Sequence, residues 1–242
     1  MEVTKIAAGV LLVSALAGCS YQDDFKGVIM PHHLLVEDKM DDFYDQIWSD
    51  FDKVIILSPN HFGYGFNYVQ TNNEEYANDL IFYEPKMFDD EHGVTVHYDF
   101  IKDRNPDAEI FAVKIKETTP LDMLDDLAGY LDGFKNTLVI SSIDFTHAEY
   151  EEIGKQNDEA TLEYIKKWSE TGEQDYDELV QLADGLGDGV AMDSPETLYM
   201  MLELLNKKEA RDMELYARTS TVTETGYDSP EAYTSHLFIQ FH

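Results

Sequence analysis

The 242-residue chain has a single cysteine, Cys19. One thiol excludes an intramolecular disulfide, and its place near the N-terminus excludes a thiolate nucleophile or a cysteine-built metal site within the fold. Basic residues are scarce as well: 17 Lys and Arg face 49 Asp and Glu, a formal charge of −32. Phosphate contacts need clustered Lys and Arg, so nucleic acid is not the expected partner. The acidity favours solubility and repels anionic surfaces, but it identifies no substrate.

An apolar run long enough to cross a bilayer, about 20 residues, is missing at the N-terminus. Ile6 to Ala17 is shorter, follows Lys5 and ends in Leu16-Ala17-Gly18-Cys19. That is the pattern of a secretory signal, and its ending resembles the bacterial lipoprotein signal, in which cleavage leaves a lipidated cysteine. Residues 1–19 are therefore expected to be a signal peptide, with Cys19 as the lipidation site. The expected location is the cell surface or the periplasmic side, with the membrane as a partner through a lipid anchor.

What remains is ample for one packed domain. Residues 20–242 exceed the size at which a full core forms, and the chain is 43% apolar and 12% aromatic. Phe25 to Met30, Lys53 to Ser58, Ala108 to Ile115 and Thr137 to Ser141 read as strands, the second and fourth with the continuous apolar character of strands covered on both faces. Apolar spacing predicts helices over Glu37 to Phe51, Asp158 to Ser169, Tyr176 to Ala183 and Ser194 to Lys207. Another helix follows Thr119 as its cap and Pro120, and Leu121, Leu124, Ala128 and Leu131 form its apolar face. Ser194 caps the last, with Pro195 at its first position. A hairpin is expected around Asn67 to Thr71, Val94 to Ile101 is open between strand and helix, and Met213 to Val222 and Ala232 to Phe241 read as antiparallel final strands. The fold class is α/β, a single domain around a mixed sheet flanked by helices. The loop Asp184-Gly-Leu-Gly-Asp-Gly189 is no phosphate-binding loop, because no strand precedes it and no Lys follows.

Histidines follow three of the strands: His32 and His33 after the first, His61 after the second, His147 after Thr137 to Ser141. Side chains delivered beyond the carboxyl ends of strands converge on one site in α/β folds. Neutral imidazole is the commonest metal ligand, and two or three with a carboxylate suit iron, copper or zinc. Asp144 and His147, three residues apart, would share one face of a helical turn, so the carboxylate would orient the ring or join it as a ligand. Without metal the same pair suits acid–base chemistry. His97 and His242 read as structural.

Pro31-His32, Ser58-Pro59-Asn60-His61, Glu91-His92 with His97, Ser141-Ser142-Ile143-Asp144-Phe145-Thr146-His147, Asp158-Glu159, Tyr216-Ala-Arg-Thr-Ser220, Asp228-Ser229 and Tyr233-Thr-Ser235 together resemble the Memo family. Its prokaryotic branch is called AmmeMemoRadiSam system protein B. The resemblance implies a fold similar to class III extradiol dioxygenases, with metal held by His32 and His61, and with Asp144 and His147 lining the same site. On that basis His32, His61 and His147 are the candidate metal ligands, Asp144 and His147 the candidate catalytic pair, and Glu91, His92 and His236 further candidates. Eukaryotic members add a cysteine ligand at a position that falls near Val222 here, where the chain has none. The cofactor implied is iron or copper, with zinc as the alternative. The activity implied is metal-dependent oxidation of a small molecule. The alternatives are an extradiol-type ring-cleaving dioxygenase and a non-catalytic surface module for a small ligand or peptide. A radical S-adenosylmethionine partner, associated with the family, would be out of reach of an exported chain.

Overall fold

The computed structural model describes residues 25–227 and 233–242. The leader, Cys19 and Asp228-Ser229 lie outside the described residues. In chain order the elements are β1 (Phe25–Met30), α1 (Glu37–Ile47), β2 (Lys53–Pro59), β3 (Val69–Thr71), β4 (Phe82–Tyr83), α2 (His92–Arg104), β5 (Glu109–Ile115), α3 (Leu121–Leu131), β6 (Thr137–Ser142) and β7 (Phe145–His147). Then come α4 (Glu151–Thr171), α5 (Tyr176–Asp184), β8 (Val190–Met192), α6 (Pro195–Lys207), β9 (Met213–Ser220), α7 (Thr221–Thr225) and β10 (Ser235–Phe241).

Eight strands form one mixed sheet in the order β4-β3-β5-β2-β6-β1-β10-β9. Its centre, β5, β2, β6 and β1, is parallel, whereas β10 runs antiparallel to β1, and β9 to β10. Alternation along the central strands divides the core in two. Val54, Ile56, Val28 and Met30 meet Met40, Phe43 and Tyr44 of α1 and Val94 and Ile101 of α2. Ile55, Leu57, Ile29 and Val139 meet Leu124 and Leu127 of α3, Trp168 of α4 and Leu198 and Leu202 of α6. A side-chain period of two on a doubly covered sheet produces this three-layer arrangement.

Several local expectations change. The segment around Asn67 to Thr71 is no hairpin: β3 pairs antiparallel with β5 and parallel with β4. Long-range pairing with β5 decides that segment, and no periodicity in the sequence reports it. Val94 to Ile101 is helical, inside α2, with Val94 and Ile101 facing the core. The first helix stops at Ile47, and Trp48 has extended backbone. Thr119 does not cap α3; Pro120 holds that position, and the Thr119 hydroxyl donates to Lys116 O at 2.6 Å. Ser194 does cap α6, accepting from Thr197 N–H at 3.1 Å. The turn Asp144 to His147 is not helical, because Phe145 to His147 form β7, paired antiparallel with β8.

Candidate metal centre

The parallel register sets the ends of β1, β6 and β2 side by side, with Met30 opposite Ser142 and Leu57 opposite Ser141. The loops leaving these three neighbouring strands carry His32, Asp144 and His61 to one place. The N-terminus of α2 contributes Glu91 and His92, and the loop between β8 and α6 contributes Asp193. His32, His61 and His92 each offer a ring nitrogen, all within 4.8 Å of one another. The His61 and His92 rings lie 4.2 Å apart between centroids, and His32 meets both edge-on at 4.8 and 5.0 Å.

Each of the two deeper rings has one nitrogen already engaged. His61 Nδ1 lies 2.5 Å from Glu91 Oε1, and the His61 N–H donates to Glu91 Oε2 at 3.2 Å. Glu91 is fully buried and precedes α2 without capping it, because both its oxygens serve His61. A carboxylate on Nδ1 fixes the tautomer that presents Nε2 to a metal. Gly93 makes the approach possible: a Cβ there would strike Ser58 Oγ and press on His61 Cε1.

His32 is anchored differently. Its Nδ1 lies 3.1 Å from Ser142 Oγ, which lies 3.0 Å from His97 Nε2, while His97 Nδ1 lies 2.9 Å from Tyr44 Oη. All four residues are buried. Run in one direction, His32 Nδ1–H donates to Ser142, Ser142 to His97 and His97 Nδ1–H to Tyr44. That direction leaves the His32 Nε2 lone pair open, as a metal requires.

Carboxylates surround the open nitrogens. His32 Nε2 is 3.5 Å from both Asp144 Oδ2 and Asp193 Oδ2, and His61 Nε2 is 3.4 Å from Asp193 Oδ2. The two aspartates interlock. Asp193 N–H donates to Asp144 O and Asp144 N–H to Asp193 Oδ2, both at 3.1 Å. Asp193 Oδ1 is buried without a hydrogen-bond partner.

Burial and charge oppose each other at every group. Burial holds the His32 ring at about 3, against the pull of Asp144. Burial also works against a charged His61, but hydrogen bonds to Asp193 and Glu91 overcome it and raise that ring to about 9. Burial would raise Asp144, yet the neighbouring rings of His32, His236 and His147 hold it well below the usual carboxylate range. For Asp193 burial prevails and pushes its carboxyl up, against the pull of His61. A divalent cation would relieve this strain between buried acids and rings, and imidazole with carboxylate is a donor set that iron or zinc accepts. The residues fit a metal ion.

The other sequence candidates sit close by. His147, on β7, has its Nε2 3.9 Å from Asp144 Oδ2, with a side chain 30% exposed. His236, fully buried on β10, lies 3.6 Å from Asp144 Oδ1, and its ring stacks on His33 at 5.2 Å. Val222 lies in α7, and the additional residue beside His32 and His61 is Asp193, on a different loop. Sequence reading missed Asp193, Ser142 and Tyr44 and took His97 as merely structural. The local mark of Asp193 is only that it ends the short apolar run Val190-Ala-Met192, which does not say which rings it meets.

A family model described as Memo-like protein matches residues 72–237. The chain belongs to the Memo family. Its single α/β domain, with a central mixed sheet flanked by helices, is the class III extradiol dioxygenase-like fold of that family. The matched span of this Memo-like chain includes Glu91, His92, Asp144, His147, Asp193 and His236. It begins after His32 and His61, which the sheet brings to the same residues. Comparison with curated proteins returns no match.

Proposed function

We propose that this Memo-family chain binds one metal ion between His32 and His61 at the carboxyl ends of β1 and β2 and uses it for oxidative chemistry on a small molecule. The observation that carries the reading is the convergence of the His32, His61 and His92 ring nitrogens within 4.8 Å. A bound iron or copper ion would supply Lewis acidity and electron transfer. The chain's own residues do the rest. Glu91 and Ser142 hold the ligand rings in their metal-binding tautomers. Asp144, pinned by the His32 N–H at 3.3 Å, keeps a negative charge under the rings. His147, reaching solvent beside Asp144, is the proposed acid–base group for a bound substrate.

The test is metal content per chain in purified protein, then in His32→Ala and His61→Ala. Near-stoichiometric metal in the wild type and its loss in both variants support the reading; a metal-free wild type after metal-replete purification removes it. An extradiol-type dioxygenase is the narrower version, favoured by the carboxylates within 3.5 Å of His32 Nε2. Oxygen uptake on a catechol panel by the iron-loaded protein separates the two. For location, the leader pattern ending at Cys19 supports a lipid-anchored protein outside the cytoplasm. Among the described residues no helix is long and apolar enough to cross a membrane.

A further inference from the structure

We infer that Asp193 is the third protein ligand of this metal site, completing a two-histidine, one-carboxylate set with His32 and His61; the inference rests on the metal-binding reading above. Distance decides between the candidates. Ligands about 2.1 Å from a tetrahedral ion stand about 3.4 Å from one another, and even opposite each other about 4.2 Å. Asp193 Oδ2 is 3.4 Å from His61 Nε2 and 3.5 Å from His32 Nε2, already at ligand–ligand spacing from both. The three-histidine group, whose ring nitrogens spread up to 4.8 Å, would have to contract to hold one ion.

The two rings face Asp193 with the nitrogens that their other partners do not hold. His61 Nδ1 belongs to Glu91 and His32 Nδ1 to Ser142, so both Nε2 atoms remain for an ion. Asp144 is less suited. One of its oxygens takes the His32 N–H and lies beside His236, and the other, although 3.5 Å from His32 Nε2, has His147 rather than His61 as its second ring. Asp193 is also rigidly presented. Its N–H is tied to Asp144 O, its neighbour Met192 pairs with Phe145, and Ser194 caps α6 immediately after it. Its Oδ1, buried without a partner, is free to turn toward an ion as a second donor atom. The simpler role, an acceptor for His61 and for the Asp144 N–H, leaves the equal approach to His32 and the orphaned Oδ1 without a purpose.

A carboxylate ligand carries a consequence for metal choice. Two imidazoles and a carboxylate leave open positions and suit Fe(II), Mn(II), Co(II) or Zn(II), whereas Cu(I) prefers thiolate and thioether donors. That donor set favours a divalent ion over Cu(I).

The experiment uses Co(II) as a spectroscopic probe on the full chain carrying Cys19→Ser, so that no other thiol is present. The Cys19→Ser background should bind one Co(II) with ligand-field bands and no sulfur charge transfer. Asp193→Cys should bind it with a new thiolate-to-Co(II) charge-transfer band, because only a direct ligand produces one. Asp193→Asn should bind at least about 100-fold more weakly, and Asp193→Glu should recover part of the affinity. A Cys variant that binds Co(II) without the band, or an Asn variant with unchanged affinity, overturns the assignment. Absence of Co(II) binding in the Cys19→Ser background would instead overturn the metal reading itself.

Discussion

His32 and His97 share one hydroxyl: Ser142 Oγ lies 3.1 Å from His32 Nδ1 and 3.0 Å from His97 Nε2. Two histidines from different elements are thus coupled through a serine at the end of β6. A hydroxyl has one proton to give, so its orientation sets both tautomers together. The metal-binding tautomer of His32 requires Ser142 to donate to His97, and His97 in turn to donate to Tyr44.

Ser142→Ala should weaken metal binding by about 10–100-fold, the usual cost of losing a group that orients a ligand. The fold should persist, with a loss of about 1–3 kcal/mol for the buried ring nitrogens left unpaired. Metal titration against a chelator, alongside urea unfolding of the metal-free variant, separates the two effects. Unchanged affinity would show that packing alone orients His32.

Gly93→Ala should act on the site from behind. The added methyl meets Ser58 Oγ and His61 Cε1, so the start of α2 must retreat and take Glu91 with it. Metal affinity should fall while the apolar cores on both sheet faces stay intact. Gly129→Ala, where a Cβ meets nothing within 4 Å, is the control and should leave affinity unaltered.

Acid should destabilise the metal-free protein partly through His97. Burial lowers this ring from 6.5 to about 3. Between those values the unfolded chain binds a proton that the folded chain refuses. Stability therefore falls as pH falls through that window, at most about 1.4 kcal/mol per pH unit for one such group. His97→Gln keeps a polar side chain without a titrating ring, and its unfolding free energy should decline less steeply from pH 6.5 to 4.5. Urea midpoints across that range test it; parallel slopes for both proteins would refute it.

Cys19→Ser should move the expressed protein from the membrane fraction to the soluble fraction of a lipoprotein-processing host, with metal binding retained. Absence of labelled fatty acid from the wild type grown with it would rule out lipidation at Cys19.

Several features were legible before the fold was known, because they are local. Doubly covered strands announce themselves as apolar runs, as in Lys53 to Ser58, and Ser194-Pro195 marks a helix start by capping chemistry alone. Histidines just beyond β1 and β2 gave the location of a site, since a parallel sheet delivers its loops to one edge. Other features depended on pairings made across the chain. Nothing in Val69 to Thr71 reveals that it pairs with β5, and nothing in Phe145 to His147 reveals a partner in Val190 to Met192.

The site divides along the same line. The sequence by itself determined that no thiol could join the histidines and carboxylates of the fold, because the only one sits at Cys19. Which carboxylate meets the rings was a tertiary decision. Asp193 stands 132 residues from His61 in the chain, and only the β7–β8 pairing brings it to 3.4 Å from that ring. Proximity created by pairing between distant segments leaves no periodicity or spacing for a linear reading to detect.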